Sequence, residues 1–158
     1  MQNVMTRLKL TVNKRKTHVC RVPEQHFDFL GYTFGRFYST QTGRAYLGTR
    51  PSRKSVTRML RDIHEQTAHS RCLLTADEVV TRLNRTLRGW ANYFQLGPVT
   101  KAYRLLDRYT VRRLRRWLCH KYRLQGSGTK RYPDEYVYGE LGLVRLPQLT
   151  RNLPWAQA

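Results

Sequence analysis

Between Lys101 and Arg131 the chain carries eleven Lys or Arg residues and a single acid, Asp107. Lys101, Arg104, Arg108, Arg112 and Arg115 recur three or four positions apart. On a helix turning about 100° per residue they share one face, and Arg116 and Lys121 join them as candidate RNA-binding residues. Like charges at this spacing weaken an isolated helix by roughly a few tenths of a kcal/mol per pair, so a sequence that keeps them needs an anion to offset the repulsion. A merely solvated face mixes signs, and this one does not. The chemistry this pattern suits is phosphate binding. Arginine's planar fork holds phosphate oxygens in pairs and stacks on bases. Tyr103, Tyr109, Tyr122, Tyr132, Tyr136 and Tyr138 lie in or just after this stretch. Most of them are expected in the core or an interface rather than as base platforms. Composition does not separate RNA from DNA.

No other constellation offers catalysis. The aspartates are Asp28, Asp62, Asp77, Asp107 and Asp134, none adjacent to another. Polymerising and hydrolytic two-metal sites need carboxylates holding ions roughly 4 Å apart. Cys20, Cys72 and Cys119 form no CxxC pair and no zinc spacing. His64 and His69 stand five apart, on different faces of a helix. We expect no catalytic residue, no metal site and no cofactor in this chain, and reduced thiols.

The whole-chain balance agrees with the cationic face. Thirty Lys and Arg against ten Asp and Glu give a formal charge of +20 over 158 residues. Such a domain repels itself until a polyanion neutralises it, and nucleic acid is the commonest one. An anionic membrane surface is the alternative. No apolar run approaches the roughly 20 residues that span a bilayer, and the N-terminus shows no signal-peptide core. The expectation is a cytoplasmic nucleic-acid binder with no membrane partner. Apolar residues make up 40%, enough for a core.

The elements that must position these groups read as α+β: a short antiparallel β piece, three helices and an irregular tail. Leu8, Leu10 and Val12 alternate as in a half-buried strand, and residues 17–22 read as a second, ended by Pro23. Residues 27–34 form a further extended stretch. Turns are expected at Gly35 and at Gln41-Thr42-Gly43, with a hairpin return through Ala45 to Gly48. Ser52 can cap a helix whose face is Val56, Met59, Leu60 and Ile63. Thr75-Ala76-Asp77-Glu78 is a capping box opening a second helix, which Gly97-Pro98 should end. Its apolar face joins Val80, Leu83, Leu87, Trp90, Ala91 and Phe94, so Trp90 and Phe94 are expected in the core. Gly89, in mid-helix, points to close approach of another backbone or nucleic acid, or to relief of crowding beside Trp90. The third helix runs from about Val99 to Tyr122. Residues 125–130 read as a flexible Gly/Ser loop. These elements divide the chain into 1–48, 49–124 and 125–158.

Four strings carry a resemblance. LRGWANYFQLG, residues 87–97, closely resembles the maturase-specific (thumb, or X) domain of bacterial group II intron reverse transcriptases, with Gly89, Trp90, Tyr93 and Phe94 as its signature. LKLTVNKRKTHV, residues 8–19, is similar to the end of that family's palm, and Lys16 matches its lysine near the incoming nucleotide. In FDFLGYTF, residues 27–34, Phe29, Leu30 and Gly31 match the Phe-Leu-Gly of the hairpin that holds the primer end. PDEYVYGELGLVRLP, residues 133–147, is similar to the family's C-terminal part. The strings stand in the family's order. The resemblance implies a piece of palm followed by a thumb/maturase bundle that binds structured intron RNA and assists splicing. It implies as further partners a template–primer duplex and a complementing upstream reverse-transcriptase fragment, with Mg²⁺ belonging to the full-length parent enzyme. The family's Tyr-Ala-Asp-Asp turn, its fingers and a Cys-rich nuclease ending have no counterpart here. The expectation is therefore a C-terminal portion that is not an enzyme alone, whether truncated product, split piece or pseudogene remnant. Two alternatives stand beside it: a subunit of an active RNA-directed DNA polymerase, and a generic basic DNA-binding module.

Overall fold

The computed structural model describes residues 7, 9, 20–22, 24–39 and 42–149. Most of the strand expected at Leu8–Val12, most of that at 17–22, and Lys16 lie outside these residues. What is described is a three-stranded antiparallel sheet followed by helices.

Strands β1 (Phe27–Phe29), β2 (Tyr32–Tyr38) and β3 (Ala45–Pro51) pair in sequence order. Phe29 faces Tyr32, and Leu30 and Gly31 turn the chain between them with φ of 48° and 80°. Two successive positive φ values make a type I′ turn, whose twist matches the strands. Leucine rarely sits there, and its neighbours hold it. The Leu30 carbonyl accepts a hydrogen bond from the Tyr93 hydroxyl at 2.8 Å, and the Gly31 carbonyl accepts from the Ser52 amide and the Ser55 hydroxyl. Gly35 is not a turn. It lies inside β2 opposite Gly48, where any Cβ would collide with the His26 ring.

Helix α1 spans Arg53–Gln66, with the Ser52 side chain accepting from the Ser55 amide as its cap. Met59 and Ile63 are buried and Val56 and Leu60 partly so. Helix α2 spans Ala76–Tyr93 behind a complete Thr75–Glu78 capping box. The Thr75 amide and hydroxyl hold the Glu78 carboxyl below the usual carboxylate range. The helix stops at Tyr93, short of Gly97. Phe94 leaves helical geometry and packs its ring 4.5 Å from Trp90 and 5.0 Å from Tyr32. The open carbonyls at this end are met by tyrosines: Tyr32 donates to Tyr93, and buried Tyr103 donates to Ala91 and Phe94. Burial pushes the Tyr103 hydroxyl up to about 12. Gly97, at φ 73°, lets the loop approach the Thr49 carbonyl where a Cβ would collide with it.

Helix α3 spans Thr100–Lys121 and buries Tyr103, Leu106, Thr110, Val111, Leu114, Trp117, Leu118 and Cys119. The segment after it is largely non-repetitive, with one π-helical turn at Tyr136–Glu140 and the short helix α4 (Leu146–Leu149). Its Tyr132, Val137, Leu143 and Leu146 enter the same core as the helices. Gly128, expected in a flexible loop, is buried against Cys119 and Arg115. Polar side chains sew this segment down. Asn84 bonds to the Gly142 carbonyl and the Val144 amide, and Asp107 accepts from the Tyr138 hydroxyl and the Leu146 amide.

Burial pushes the Asp107 carboxyl up, against those two hydrogen bonds. The folded chain then binds more protons than the unfolded one once pH exceeds the ordinary carboxyl value of about 4. The contribution of this site to stability falls as pH rises through that window. Asp107→Asn should therefore gain on wild type in melting temperature as pH rises from about 4. A difference that stays constant with pH would contradict the assignment.

Candidate nucleic-acid interface

Lys101, Arg104, Arg108, Arg112 and Arg116 are all exposed on the side of α3 opposite its buried stripe. At 1.5 Å per residue they run along roughly 22 Å of helix. The Arg112 guanidinium lies 5.3 Å over the Tyr109 ring, which steadies it without a carboxylate. Among the described residues the one ion pair is Arg115–Asp134. The five outward cations thus have no carboxylate neutralising them there. Asp107, the acid within α3, is turned to Tyr138 and Leu146.

Two of the seven expected phosphate binders are engaged inside the chain. Arg115 donates to the Tyr132 carbonyl and pairs with Asp134, each at 2.7 Å, and its side chain is 12% exposed. The tail docks against its part of the stripe, a long-range contact that helical spacing does not encode. Lys121 caps the α1–α2 connection, donating to the Cys72 and Leu74 carbonyls. Arg113 does similar work, binding Thr67 and the His64 carbonyl. Arg115→Gln should cost about 1–3 kcal/mol of stability and leave the salt dependence of RNA binding unmoved. Arg112→Gln should do the reverse. Thermal melts and binding titrations at several salt concentrations read both, and equal behaviour of the two variants would contradict the division.

Residues from two separate strings converge at the far end of α2. Leu30, Gly31, Trp90, Tyr93 and Phe94 line a pocket of about 410 Å³ together with Ser55, Arg58, Met59 and Asp62. Phe29 lies beside it on β1, exposed like Leu30. Phe94 is buried as expected, but Trp90 is only partly buried, because the pocket leaves one side of the indole uncovered. Tyr93 is 53% exposed. Beyond its chain neighbours and its own helix backbone, nothing lies within 4 Å of the position a Gly89 Cβ would take. Gly89 sits on an open face of α2 with exposed Arg82, Arg85 and Asn92. That second basic face escaped the sequence reading. The spacing of Arg82, Arg85 and Gly89, three and four apart, was its available signal.

The aspartates lie on separate elements: Asp28 on β1, Asp62 on α1, Asp77 on α2, Asp107 on α3 and Asp134 after it. Among the described residues no group of three His, Cys, Asp or Glu is placed to hold a metal ion. Nor is any helix there long and apolar enough to cross a membrane. Cys20, Cys72 and Cys119 are free thiols, of which only Cys119 is buried.

Comparison with curated proteins gives no match. The family model of the group II intron, maturase-specific domain, matches residues 56–134, half of the chain. The match begins in α1, contains α2 and α3, and ends at the Asp134 that fastens Arg115. With that span and with the α2 end assembled around Trp90, Tyr93 and Phe94, the chain belongs to the group II intron maturase-specific domain family.

Proposed function

We propose that this chain binds structured group II intron RNA through the outward face of α3, steadying an RNA fold while the RNA performs splicing. The carrying observation is the row Lys101, Arg104, Arg108, Arg112 and Arg116, exposed along one helix of a maturase-family bundle. Structured RNA is recognised largely by shape, phosphates and 2′-hydroxyls, which a rigid cationic helix can meet. The test is a gel-shift competition between a group II intron RNA and duplex DNA of equal length. Preference for the intron RNA is expected. Equal affinity would make the chain a generic cationic binder.

A second reading attaches to the β1–β2 turn. Leu30 is 67% exposed at a backbone position fixed by Tyr93, Ser52 and Ser55. A rigid apolar tip of this kind suits a template–primer duplex, held jointly with an upstream fragment that supplies the polymerase carboxylates and their Mg²⁺. By itself the chain is then inactive in DNA synthesis. Mg²⁺-dependent primer extension by the purified chain would contradict this.

A further inference from the structure

On the other side of α1 from the pocket at Trp90, a groove of about 1020 Å³ opens between the sheet and the start of α3. That is the upper end of the roughly 300–1,000 Å³ of a small-molecule pocket. Its floor is aromatic. Phe37 faces Tyr46 across β2 and β3 with ring centroids 6.2 Å apart, and the His26 ring meets Phe37 edge-on at 5.5 Å. The facing glycines Gly35 and Gly48 make room for this floor. A Cβ on Gly48 would lie 2.6 Å from the Tyr46 ring, and one on Gly35 would collide with His26. Tyr46 is 38% exposed, while Tyr38, one residue past Phe37 on β2, projects from the opposite face of the sheet and is 62% exposed.

The charge of the groove has one sign. Arg36, Arg50, Arg53 and Lys101 line it, and among the described residues no Asp or Glu does. One arginine already lies over the floor, Arg50 at 4.9 Å from Phe37, and Arg36 lies 5.5 Å from the Tyr38 ring on the other face. Aromatic faces for bases beside cations for the backbone are what sequence-tolerant binding of a single strand requires. A duplex keeps its bases stacked on each other and has no use for the rings. Lys101 belongs both to this groove and to the cationic face of α3, so a strand can pass from one to the other.

We infer that the groove between the sheet and the start of α3 holds a short unpaired RNA segment, its bases on Tyr46 and Phe37 and its phosphates on Arg50, Arg53 and Lys101. The inference rests on the RNA-binding reading for the identity of the polyanion, but it assigns a separate surface and a separate form of RNA. The two can fail independently.

The test uses the whole chain and two probes. One is an unstructured RNA of about 10 nucleotides, within the span of a typical single-strand site, carrying a fluorescent 2-aminopurine base. The other is a perfect RNA duplex. Tyr46→Ala should lower affinity for the single strand about tenfold and abolish the fluorescence change caused by stacking. Its duplex binding should stay within about twofold of wild type. Changing Arg104, Arg108, Arg112 and Arg116 to Gln should do the opposite, weakening the duplex more than the single strand. Should that variant melt early, Tyr46→Leu carries the same expectation for the fluorescence signal, and Tyr38→Ala, on the other face of the sheet, should leave it unchanged. Unchanged single-strand binding in the Tyr46 variants overturns the inference, as does equal loss of both probes. So does displacement of the single strand by an acidic peptide of the same charge, which would assign the groove to a protein partner. Loss of preference for intron RNA with the tyrosine effect intact would sink the α3 reading and leave the groove standing.

Discussion

Trp117→Ala should destabilise the chain by about 3–5 kcal/mol, a large part of the roughly 5–15 kcal/mol that holds a typical domain together. Trp117 is 1% exposed in the middle of α3. It belongs to the core cluster that α1, α2, α3 and the tail share. Truncation there leaves a cavity that four elements cannot all move to fill. Trp90→Ala should cost less, about 1–2 kcal/mol, since one side of its indole borders a pocket. Chemical denaturation of the two variants reads the difference directly. A larger loss at Trp90 than at Trp117 would mean that the family signature, not the α3 core, holds the fold.

The second large effect is on binding. Changing Arg104, Arg108, Arg112 and Arg116 together to Gln removes four exposed cations from one face of α3. Each phosphate contact contributes about 0.7–0.9 to the slope of log affinity against log salt. The variant should flatten that slope by about three units, and its affinity should fall by roughly 10²–10³ at 0.1 M salt. Its melting temperature should hold or rise, because like charges three and four apart repel. A flattened slope with an unchanged melt separates this outcome from unfolding. An unchanged slope would show that the face is only solvated.

The local signals were legible in the sequence, and the long-range ones were not. Ser52 and the Thr75–Glu78 box name the starts of α1 and α2 because a cap is a contact across three residues. The buried stripe of α3 follows from its period. The end of α2 was misplaced, since what stops it at Tyr93 is Phe94 seated between Trp90 and Tyr32, the latter about 60 residues away in sequence. Arg115 looked like one more outward cation until the tail docked on it through Tyr132 and Asp134. Spacing could not tell that Trp90 borders a pocket, because the wall opposite comes from the β1–β2 turn. The groove at Phe37 and Tyr46 was hidden for the same reason. Its parts are two strands and a helix start whose meeting no local pattern records.

Arginine footprinting tests the central claim most directly. The folded chain is treated with an arginine-selective dicarbonyl, with and without group II intron RNA, and modified positions are read by mass spectrometry. The α3 assignment predicts that RNA protects Arg104, Arg108, Arg112 and Arg116. Arg113 and Arg115, already bonded inside the chain, should react weakly in both conditions. Bound RNA that leaves those four arginines as reactive as before, while protecting Arg82 and Arg85 on α2, would contradict it.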